Sequence, residues 1–525
     1  MTDLFVTHRH TWLIKSSPFA PLIYSSSKMG FSDVFATLTI LSTSFQFAAA
    51  APTAQCCDSL LKLMPVDTFM EESATYDTEN TNFWSATEVL EPSCVFVPDT
   101  PEKVAQAVSL FVENDCKFSI KGGGHSAIPG AANIHDGILM PMEKLKKFEI
   151  SPDGSTATVG SGYLMGDIYA GLDPANLTAM IGRYSKVGLG VALGAGVNYL
   201  VNKNGLAIDN VLNFEIVLAD GSIVNANATN HPELFKALKG GNNNFGVVTA
   251  FTLQTEKTDG AIYGGVMYYP ESSLDQVLDV VYDYSVRQAV DDHLTHVLPQ
   301  YGYNGSTDEA INFSPVMYNK NVFELPEIMQ GWTDIPHYNN TLHNRPYHDL
   351  SVELNEGFAD GLVQEQRVFT VYADAQLYKD LWANFHAWCK NYQHISGFYC
   401  LHVNMPITPN TVQQGIMKGG NSLGLEEVGD RVLGAIYFGV TFNSMDDADE
   451  VLPAHDDFVE SQKVLAESRG LLHRYIMLTY SGYDQPAIES YGAENVQNLL
   501  AVQAAYDPNK VFQRLVPGGQ KLPSQ

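Results

Sequence analysis

Alternating apolar and polar residues predict much of the secondary structure of this chain. Phe118 and Ile120 alternate with polar neighbours, as expected for a half-buried strand. Ahead of them, Thr100-Pro101-Glu102 combines a capping hydroxyl, a first-turn proline and an early acid, and apolar residues then recur at helical spacing. Asp220-Gly221 separates two apolar runs and predicts the turn of a β-hairpin. The pattern therefore predicts a protein that mixes helices with strands.

Two glycine-rich segments interrupt this pattern. The first, Lys121-Gly122-Gly123-Gly124-His125-Ser126, follows the strand that ends at Ile120. Without side chains, such a backbone can take left-handed dihedrals and bring successive N–H groups against a phosphate. The spacing matches neither the dinucleotide fingerprint nor a phosphate loop that ends in Gly-Lys-Ser/Thr. A glycine-rich turn with a chance histidine is therefore the alternative for these six residues alone.

The second glycine-rich segment runs from Gly182 to Gly196. Its glycine density disfavours a packed helix, because each interior glycine costs about 1 kcal/mol relative to alanine. It favours instead a backbone that lies close to a flat or anionic ligand.

The charge balance excludes several classes of partner. The formal net charge is −29 over 525 residues, and no run of Lys or Arg occurs, which argues against nucleic acid and anionic membranes. The histidines show no spacing such as H-E-x-x-H, and no Cys-x-x-Cys is present, so no metal site is predicted. Gly160-Ser161-Gly162 lacks the frame of a nucleophile elbow and is interpreted as a turn.

The first fifty residues are predicted to be a leader that directs secretion. Val34 to Ala51 is mostly apolar or small and ends in a run of alanines before Pro52, which resembles a signal peptide with its cleavage site. Several Thr and Ser residues interrupt the stretch, so it is a poor membrane span. In that compartment five Asn-x-Ser/Thr sequons would be candidate glycan sites, with Pro315 placing the fourth in doubt. They are Asn176, Asn227, Asn304, Asn312 and Asn339.

The six cysteines are consistent with an oxidising compartment. We expect Cys56 or Cys57 to form a disulfide with Cys94, which would tie down a new N-terminus. Cys116 is predicted to be a buried free thiol. Whether Cys389 pairs with Cys400 is left open.

Taken in order, the motifs resemble those of the fungal, secreted members of the berberine bridge enzyme-like flavoprotein oxidases. Their fold is shared with vanillyl-alcohol oxidase and p-cresol methylhydroxylase. The resemblance covers roughly residues 56–255 and 470–522. It is carried by Lys121–Ser126, Val187–Gly196, Ala219-Asp220-Gly221-Ser222, Leu234–Gly241, Asn243-Asn244-Phe245-Gly246 and Tyr506-Asp507-Pro508 with Phe512.

The resemblance implies an α+β fold in two parts. A p-cresol methylhydroxylase-type FAD-binding domain would be formed by residues 51–255 and 475–525. Between them, residues 256–474 would form a substrate domain built on an antiparallel β-sheet covered by helices. Residues 1–50 would be the leader.

The resemblance also implies where the cofactor lies. FAD would be joined covalently to His125 through its 8α-methyl group, a role that suits imidazole because its neutral form is nucleophilic. The residues expected at the cofactor are Lys121, Gly122, Gly123, Gly124, His125, Ser126, Gly130, Val187, Gly188, Gly190, Gly194 and Val248.

Three positions differ among relatives and shape the functional prediction. Tyr184 stands where many relatives carry a second, cysteinyl link to the flavin, so we expect one link only. Val187 occupies the position that controls oxygen access, and its small side chain resembles the oxidase type. Tyr480 is the expected catalytic residue, although Met477 and Thr479 depart from the family pattern Tyr-x-Asn-Tyr. Packing against the flavin is the alternative role of Tyr480, and Asn404 is a candidate partner.

We therefore expect a secreted monomeric oxidase that acts on a small molecule. It would take two electrons from a secondary-metabolite intermediate and pass them to O₂, giving H₂O₂. A carbohydrate oxidase, a flavin-bound cyclase and a binding protein with structural flavin are the alternatives, because the fold does not fix the function. No nucleic acid or membrane partner is predicted.

Overall fold

The structure is a computed structural model that describes residues 52–524. The predicted leader at residues 1–50 lies outside the described residues. Within the described part, no helix is long and apolar enough to cross a membrane.

The strands run in chain order as follows: β1 Thr68–Phe69, β2 Cys94–Phe96, β3 Phe118–Lys121, β4 Ile138–Pro141, β5 Phe148–Ile150, β6 Thr156–Gly160, β7 Leu177–Ala179, β8 Val211–Val217, β9 Ile223–Asn227, β10 Val247–Lys257, β11 Ile262–Tyr269, β12 Thr295–Val297, β13 Gln300–Asn304, β14 Glu309–Tyr318, β15 Asn339–Asn340, β16 His343–Arg345, β17 Val363–Tyr372, β18 Tyr399–Ile407, β19 Leu433–Phe442 and β20 Leu472–His473.

The α-helices are α1 Pro52–Leu63, α2 Ala74–Thr81, α3 Pro101–Glu113, α4 Met165–Leu172, α5 Val201–Asn204, α6 Pro232–Leu238, α7 Leu274–Asp283, α8 Ala289–Asp291, α9 Gly331–Asp334, α10 Tyr347–Glu353, α11 Ala375–Cys389, α12 Pro409–Met417, α13 Ala448–Ser468, α14 Ala493–Tyr506 and α15 Val511–Arg514.

A small sheet carries the first glycine loop. Its strand order is β1-β2-β4-β3, and β4 runs parallel to both β2 and β3. Helix α3 begins where predicted, because the Thr100 hydroxyl accepts a hydrogen bond from the Lys103 amide at 3.3 Å. Its apolar face, which includes Val108 and Phe111, is fully buried, and each such side chain contributes about 1.5–3 kcal/mol.

A second, antiparallel sheet completes the N-terminal part. Its order is β5-β6-β10-β8-β9, and β7 pairs with the far end of β10. The predicted hairpin is confirmed between β8 and β9: Gly221 has a φ of 79°, and the Ser222 amide donates to the Asp220 carboxylate at 2.9 Å. This turn chemistry fixes the register of the two strands.

The third sheet has ten strands, all paired antiparallel, and draws on residues 262–473. One face packs on α7, α11 and α13 in a buried aromatic core. The other face carries Leu401, Val403 and Met405 of β18 toward a cavity. The expected α+β class, with an antiparallel sheet covered by helices, is confirmed. The predicted domain limit at residue 255 falls just inside β10, which ends at Lys257.

The C-terminal segment returns to the N-terminal part. The Phe118 amide at the start of β3 donates to the Leu515 carbonyl at 2.8 Å. The Asn244 side chain donates to the Gln520 carbonyl at 2.9 Å. Residues from both ends of the chain therefore support the glycine loop.

The described cysteines form three disulfides. The expected bond to Cys94 is confirmed and comes from Cys57. The prediction of a free thiol at Cys116 is wrong, because Cys116 is bonded to Cys56. The adjacent cysteines of α1 therefore bond to different segments: Cys57 to Cys94 on β2, and Cys56 to Cys116 just before β3. Cys389 at the end of α11 is joined to Cys400 of β18.

Exposure separates the candidate glycan sites. Asn312 lies in β14 with only 2% of its surface exposed, so the folded chain has no room for a sugar there. Asn176 and Asn339 are exposed. Glycosylation at these two positions stays a prediction.

Candidate active site

A cavity of about 320 Å³ lies between the glycine segments and the open face of the ten-stranded sheet. Its walls come from the loop after β3, the second glycine segment, β13, β18 and the turn at Leu478–Tyr480. Residues along the wall include Trp84, Gly122, Gly123, Gly124, His125, Ser126, Arg183, Tyr184, Val187, Gly188, Gly190, Leu298, Gln300, Leu401, Val403, Met405, Tyr437, Thr479 and Tyr480.

The two glycine segments touch through their backbones. A Cβ atom on Gly123 would lie 2.5 Å from the Gly188 nitrogen, and one on Gly188 would lie 2.4 Å from the Gly123 nitrogen. A side chain at either position would force the segments apart. Gly122 and Gly190 have open space where a Cβ would stand, so their glycines leave room beside the cavity.

Backbone donors in the first loop are free. Within residues 52–524, the amides of Gly123, Gly124 and Ser126 donate to no carbonyl or side chain. Buried polar groups are rarely left unpaired, so donors in this position favour an anionic or carbonyl-bearing ligand.

His125 lies against the cavity with its ring stacked on Trp84. The ring centroids are 4.6 Å apart and the planes differ by 9°. Removal from bulk water lowers the pKa of His125 to about 4, so the imidazole is neutral near pH 7. A neutral imidazole keeps a lone pair available for bond formation.

Tyr480 is held by an arginine. The guanidinium of Arg183 donates a hydrogen bond to the Tyr480 hydroxyl oxygen at 3.0 Å. Because the oxygen accepts from Arg183, its own proton is directed elsewhere. The Tyr480 ring meets Tyr437 edge to face, with 5.8 Å between centroids. A positive charge at this distance favours negative charge on the hydroxyl oxygen.

Tyr184, which is predicted to replace the cysteine of a second flavin link, faces the same cavity. Its hydroxyl accepts a hydrogen bond from the Gln300 amide at 3.1 Å. Burial raises the pKa of Tyr184 to about 12, so its hydroxyl stays protonated.

Comparison with known proteins identifies the family. Residues 92–227 match the family description "FAD binding domain". Over 466 residues the chain is 32% identical to the FAD-dependent monooxygenase tpcD of Cochliobolus heterostrophus, covering 84% of this chain and 87% of that protein. The chain belongs to the berberine bridge enzyme-like FAD-linked oxidoreductases.

Solved structures of this fold agree with the assignment. 6-Hydroxy-D-nicotine oxidase from Arthrobacter nicotinovorans superposes with a TM-score of 0.73 at 19% identity, covering 87% of this chain and 98% of that one. Glucooligosaccharide oxidase from Acremonium strictum gives a TM-score of 0.69 at 18% identity, covering 90% and 100%. The latter structure is described as having a 6-S-cysteinyl, 8α-N1-histidyl FAD. The vanillyl-alcohol oxidase-type fold is confirmed.

The site residues fit FAD, the cofactor of this family. Free loop amides suit a diphosphate, and the flat glycine surface leaves space for close approach. Among residues 52–524, no group of three His, Cys, Asp or Glu side chains is placed to hold a metal ion.

Four of the residues predicted for FAD binding lie outside the cavity lining. The Lys121 ammonium is buried and donates to the Glu79 carbonyl at 2.7 Å and to its carboxylate at 3.0 Å. The Gly130 carbonyl packs against Gly518 of the returning segment. Gly194 packs against Leu478, and Val248 is buried in β10 within the core.

Asn404 also lies away from the cavity. It alternates with Val403 and Met405 on β18, so its side chain is buried on the other face of the sheet with no hydrogen-bond partner in the described part. Asn404 is therefore not positioned to assist Tyr480.

Sequence reasoning missed Arg183, Gln300 and Trp84. Arg183 had a signal, since it is a charged residue inside a glycine-rich apolar segment. Gln300 and Trp84 had none, because nothing in a single sequence distinguishes them from other half-buried polar or aromatic residues.

Proposed function

We propose that this protein is a secreted FAD-dependent oxidase of a small, largely apolar organic substrate of the secondary-metabolite type. It transfers two electrons from the substrate to O₂ and forms H₂O₂. The observation that carries the proposal is the Arg183–Tyr480 pair, which faces the cavity shared with His125 and the glycine loop.

The first glycine loop and His125 would hold the cofactor. Loop amides would bind the diphosphate, and the His125 nitrogen would be bonded to the 8α-methyl. FAD, when bound, supplies the acceptor for a hydride. The neutral imidazole and the histidyl FAD named for the Acremonium relative support this link. We expect one covalent link to the flavin, because Tyr184 has a hydroxyl in place of a thiol and this hydroxyl accepts a hydrogen bond from Gln300.

Tyr480 would act as the general base. In its ionised form, the Tyr480 oxygen would take the proton of the substrate hydroxyl or amine and become a neutral hydroxyl, while the hydride leaves the adjacent carbon. The positive charge of Arg183 would stabilise the ionised form of Tyr480 that the step requires, whereas an isolated tyrosine is a weak base near pH 7. The hydrogen bond also orients the hydroxyl, so its position is set before substrate binds.

The cavity wall favours an apolar substrate. Leu298, Leu401, Val403 and Met405 face it from the large sheet, and Phe358 and Tyr437 add aromatic surface. The polar side chains that the large sheet adds to the lining are those of Gln300, Gln366 and Tyr437, fewer than a sugar with many hydroxyl groups needs as partners. The carbohydrate specificity named for the Acremonium relative is therefore the weaker candidate here.

Secretion is supported by the three disulfides, which persist in oxidising compartments. Direct N-terminal sequencing of the protein from culture medium tests it, with a start near Ala51 expected.

The relatives' names raise a second candidate, oxygen insertion. Several are called FAD-dependent monooxygenases. Turnover under ¹⁸O₂ distinguishes the two reactions. An oxidase forms one H₂O₂ for each substrate oxidised and leaves no label in the product, whereas a monooxygenase places the label in the product.

Anaerobic reduction of the flavin distinguishes the oxidase from the cyclase. Substrate should bleach the flavin absorption near 450 nm anaerobically if electrons move. Product formed with neither bleaching nor H₂O₂ would identify cyclisation and refute the oxidase. Panels of aromatic alcohols, polyketide-like alcohols and sugars supply the first substrates for this assay.

A further inference from the structure

Arg183 is a buried cation without a counter-charge. Its side chain lines the cavity and is only 3% exposed. Its neighbours are the Tyr480 hydroxyl at 3.0 Å, the Met405 sulfur at 3.7 Å and His296 Nε2 at 3.4 Å. In the described part of the chain, no carboxylate lies within 4 Å of its guanidinium. None of these three side chains offers Arg183 a carboxylate: the hydroxyl and the sulfur are neutral, and His296 would be positively charged if it were protonated.

His296 does not supply the missing negative charge. Burial, and then the charge of Arg183, lower the pKa of His296 well below its usual range, so the ring is neutral. A buried charge without a partner is strongly unfavourable, and such groups are normally paired.

Arg367 shows how this fold treats a buried arginine elsewhere. It is 2% exposed, and three carboxylates surround it: Glu365 at 2.8 Å, Asp456 at 2.6 Å and Asp484 at 2.8 Å. The chain carries many acids and supplies three to Arg367 but none to Arg183. The difference indicates that the partner of Arg183 arrives from outside the chain.

Gln300 adds a second unsatisfied group beside Arg183. Its amide nitrogen donates to Tyr184, the next residue after Arg183, while its Oε1 is buried and has no partner among the described residues. The side chain is 1% exposed and lines the cavity. A free acceptor in this position calls for a hydroxyl donor. The wall beyond, formed by Leu298, Leu401 and Val403, is apolar.

We propose that the cavity binds a hydroxylated aromatic carboxylic acid, with its carboxylate on Arg183 and a ring hydroxyl donating to Gln300. The ring would lie against the apolar wall. This inference deepens the proposed function and rests on it for the identity of the substrate cavity. It adds the requirement that the substrate carry a negative charge, which a neutral alcohol lacks.

The test uses redox-inert probes on the purified flavoprotein, so it does not depend on turnover. Benzoate and benzamide have the same shape and differ in charge. Their binding is measured by titration of the flavin absorption spectrum and by calorimetry. Benzoate should bind more tightly than benzamide. Arg183→Gln should weaken benzoate by about 30-fold or more, the usual cost of removing one partner of a buried charge pair, and spare benzamide. Arg183→Lys should recover part of the loss.

Two further variants test whether the changes in affinity come from Arg183 and Gln300 themselves. Arg431→Gln removes an exposed arginine that stacks on Tyr372 and should leave all affinities unchanged. Of the three monohydroxybenzoates, at least one should bind more tightly than benzoate, and Gln300→Leu should abolish that gain alone.

Two results would overturn the inference. One is equal affinity of the wild-type protein for benzoate and benzamide, which needs no variant to fold. The other is an Arg183→Gln protein that keeps benzoate affinity but has a shifted flavin reduction potential, which would assign the charge to the cofactor. Neither result bears on H₂O₂ formation, so the proposed oxidase activity would stand or fall separately.

Discussion

The indole of Trp84 lies parallel to the imidazole of His125, with 4.6 Å between ring centroids. Both backbone groups of Trp84 are hydrogen-bonded. Its amide donates to the Gly124 carbonyl at 2.9 Å, and its carbonyl accepts from the Gly361 amide at 2.9 Å. The stack therefore holds the His125 ring in one orientation, with one face covered. A histidine that must present a nitrogen to a fixed carbon benefits from that restriction.

The first prediction concerns the cofactor link. His125→Ala should release all flavin into the supernatant when the protein is precipitated with acid, whereas the wild-type pellet should stay yellow. Tyr184→Phe is the matched control, and it should keep the flavin bound because Tyr184 forms no link. A peptide carrying the flavin mass at any residue other than His125 would contradict the assignment.

The second prediction concerns Tyr480. Tyr480→Phe should lower the rate of anaerobic flavin reduction by about 10²–10⁴-fold, the usual contribution of a general base. The ring is retained, so packing against Tyr437 should survive. Tyr483→Phe, on an exposed tyrosine three residues further on, should reduce normally in the same stopped-flow experiment. A Tyr480→Phe protein that also reduces normally would leave only the packing role.

The third prediction concerns oxygen. Val187 is half-buried on the cavity wall. Val187→Leu should slow reoxidation of the reduced flavin by O₂ and spare its reduction by substrate, because only bulk at the cavity wall increases. Val224→Leu, on β9 away from the cavity, is the control. Unchanged reoxidation in Val187→Leu would remove this residue from the oxygen path.

The fourth prediction concerns the disulfides. Non-reducing peptide mapping should recover Cys56 with Cys116 and Cys57 with Cys94. Cys116→Ser should lower the free energy of unfolding by about 2–5 kcal/mol, the usual loss for a native disulfide. Labelling of Cys116 by a thiol reagent in the native protein would show that the pairing is wrong.

The fifth prediction concerns Glu88, which is fully buried and accepts hydrogen bonds from the Ala132 and Asn133 amides beside the cavity. Burial raises its pKa from 4.5 to about 8 despite these bonds. Between those pH values the folded state holds a proton that the unfolded state releases, so this group's contribution to stability falls as pH rises.

Glu88→Gln removes that dependence. The melting temperature of the variant relative to wild type should therefore rise between pH 5 and pH 8. Glu113→Gln, at the exposed end of α3, should show no such trend. A relative melting temperature that falls over this range would mean that the backbone hydrogen bonds outweigh burial and keep Glu88 ionised.

Local elements were predictable because their causes are local. The start of α3 depends on Thr100 and its neighbours, and the turn between β8 and β9 depends on Asp220-Gly221. The glycine segments were also visible, but their mutual contact at Gly123 and Gly188 was not. That contact depends on packing between segments that lie far apart in the chain.

Pairings between distant residues could not be predicted. Cys56 and Cys57 are adjacent, so spacing alone cannot say which of them reaches Cys94 and which reaches Cys116. Arg183 and Tyr480 are separated by 297 positions, and only the fold brings them to one cavity. The motif thus led to Tyr480, whereas the contact of Tyr480 with Arg183 was found only in three dimensions.

The hydrogen bond between the Phe118 amide and the Leu515 carbonyl can form only late in the synthesis of the chain. These positions are about 400 residues apart, so the ribosome needs about 20–80 s to make the second after the first, at about 5–20 residues per second. During that interval β3 waits without its last partner, and nascent chains in this condition are prone to aggregate. The strand that carries the first glycine loop therefore stays incomplete until Leu515 has been synthesised, however early the loop itself is made.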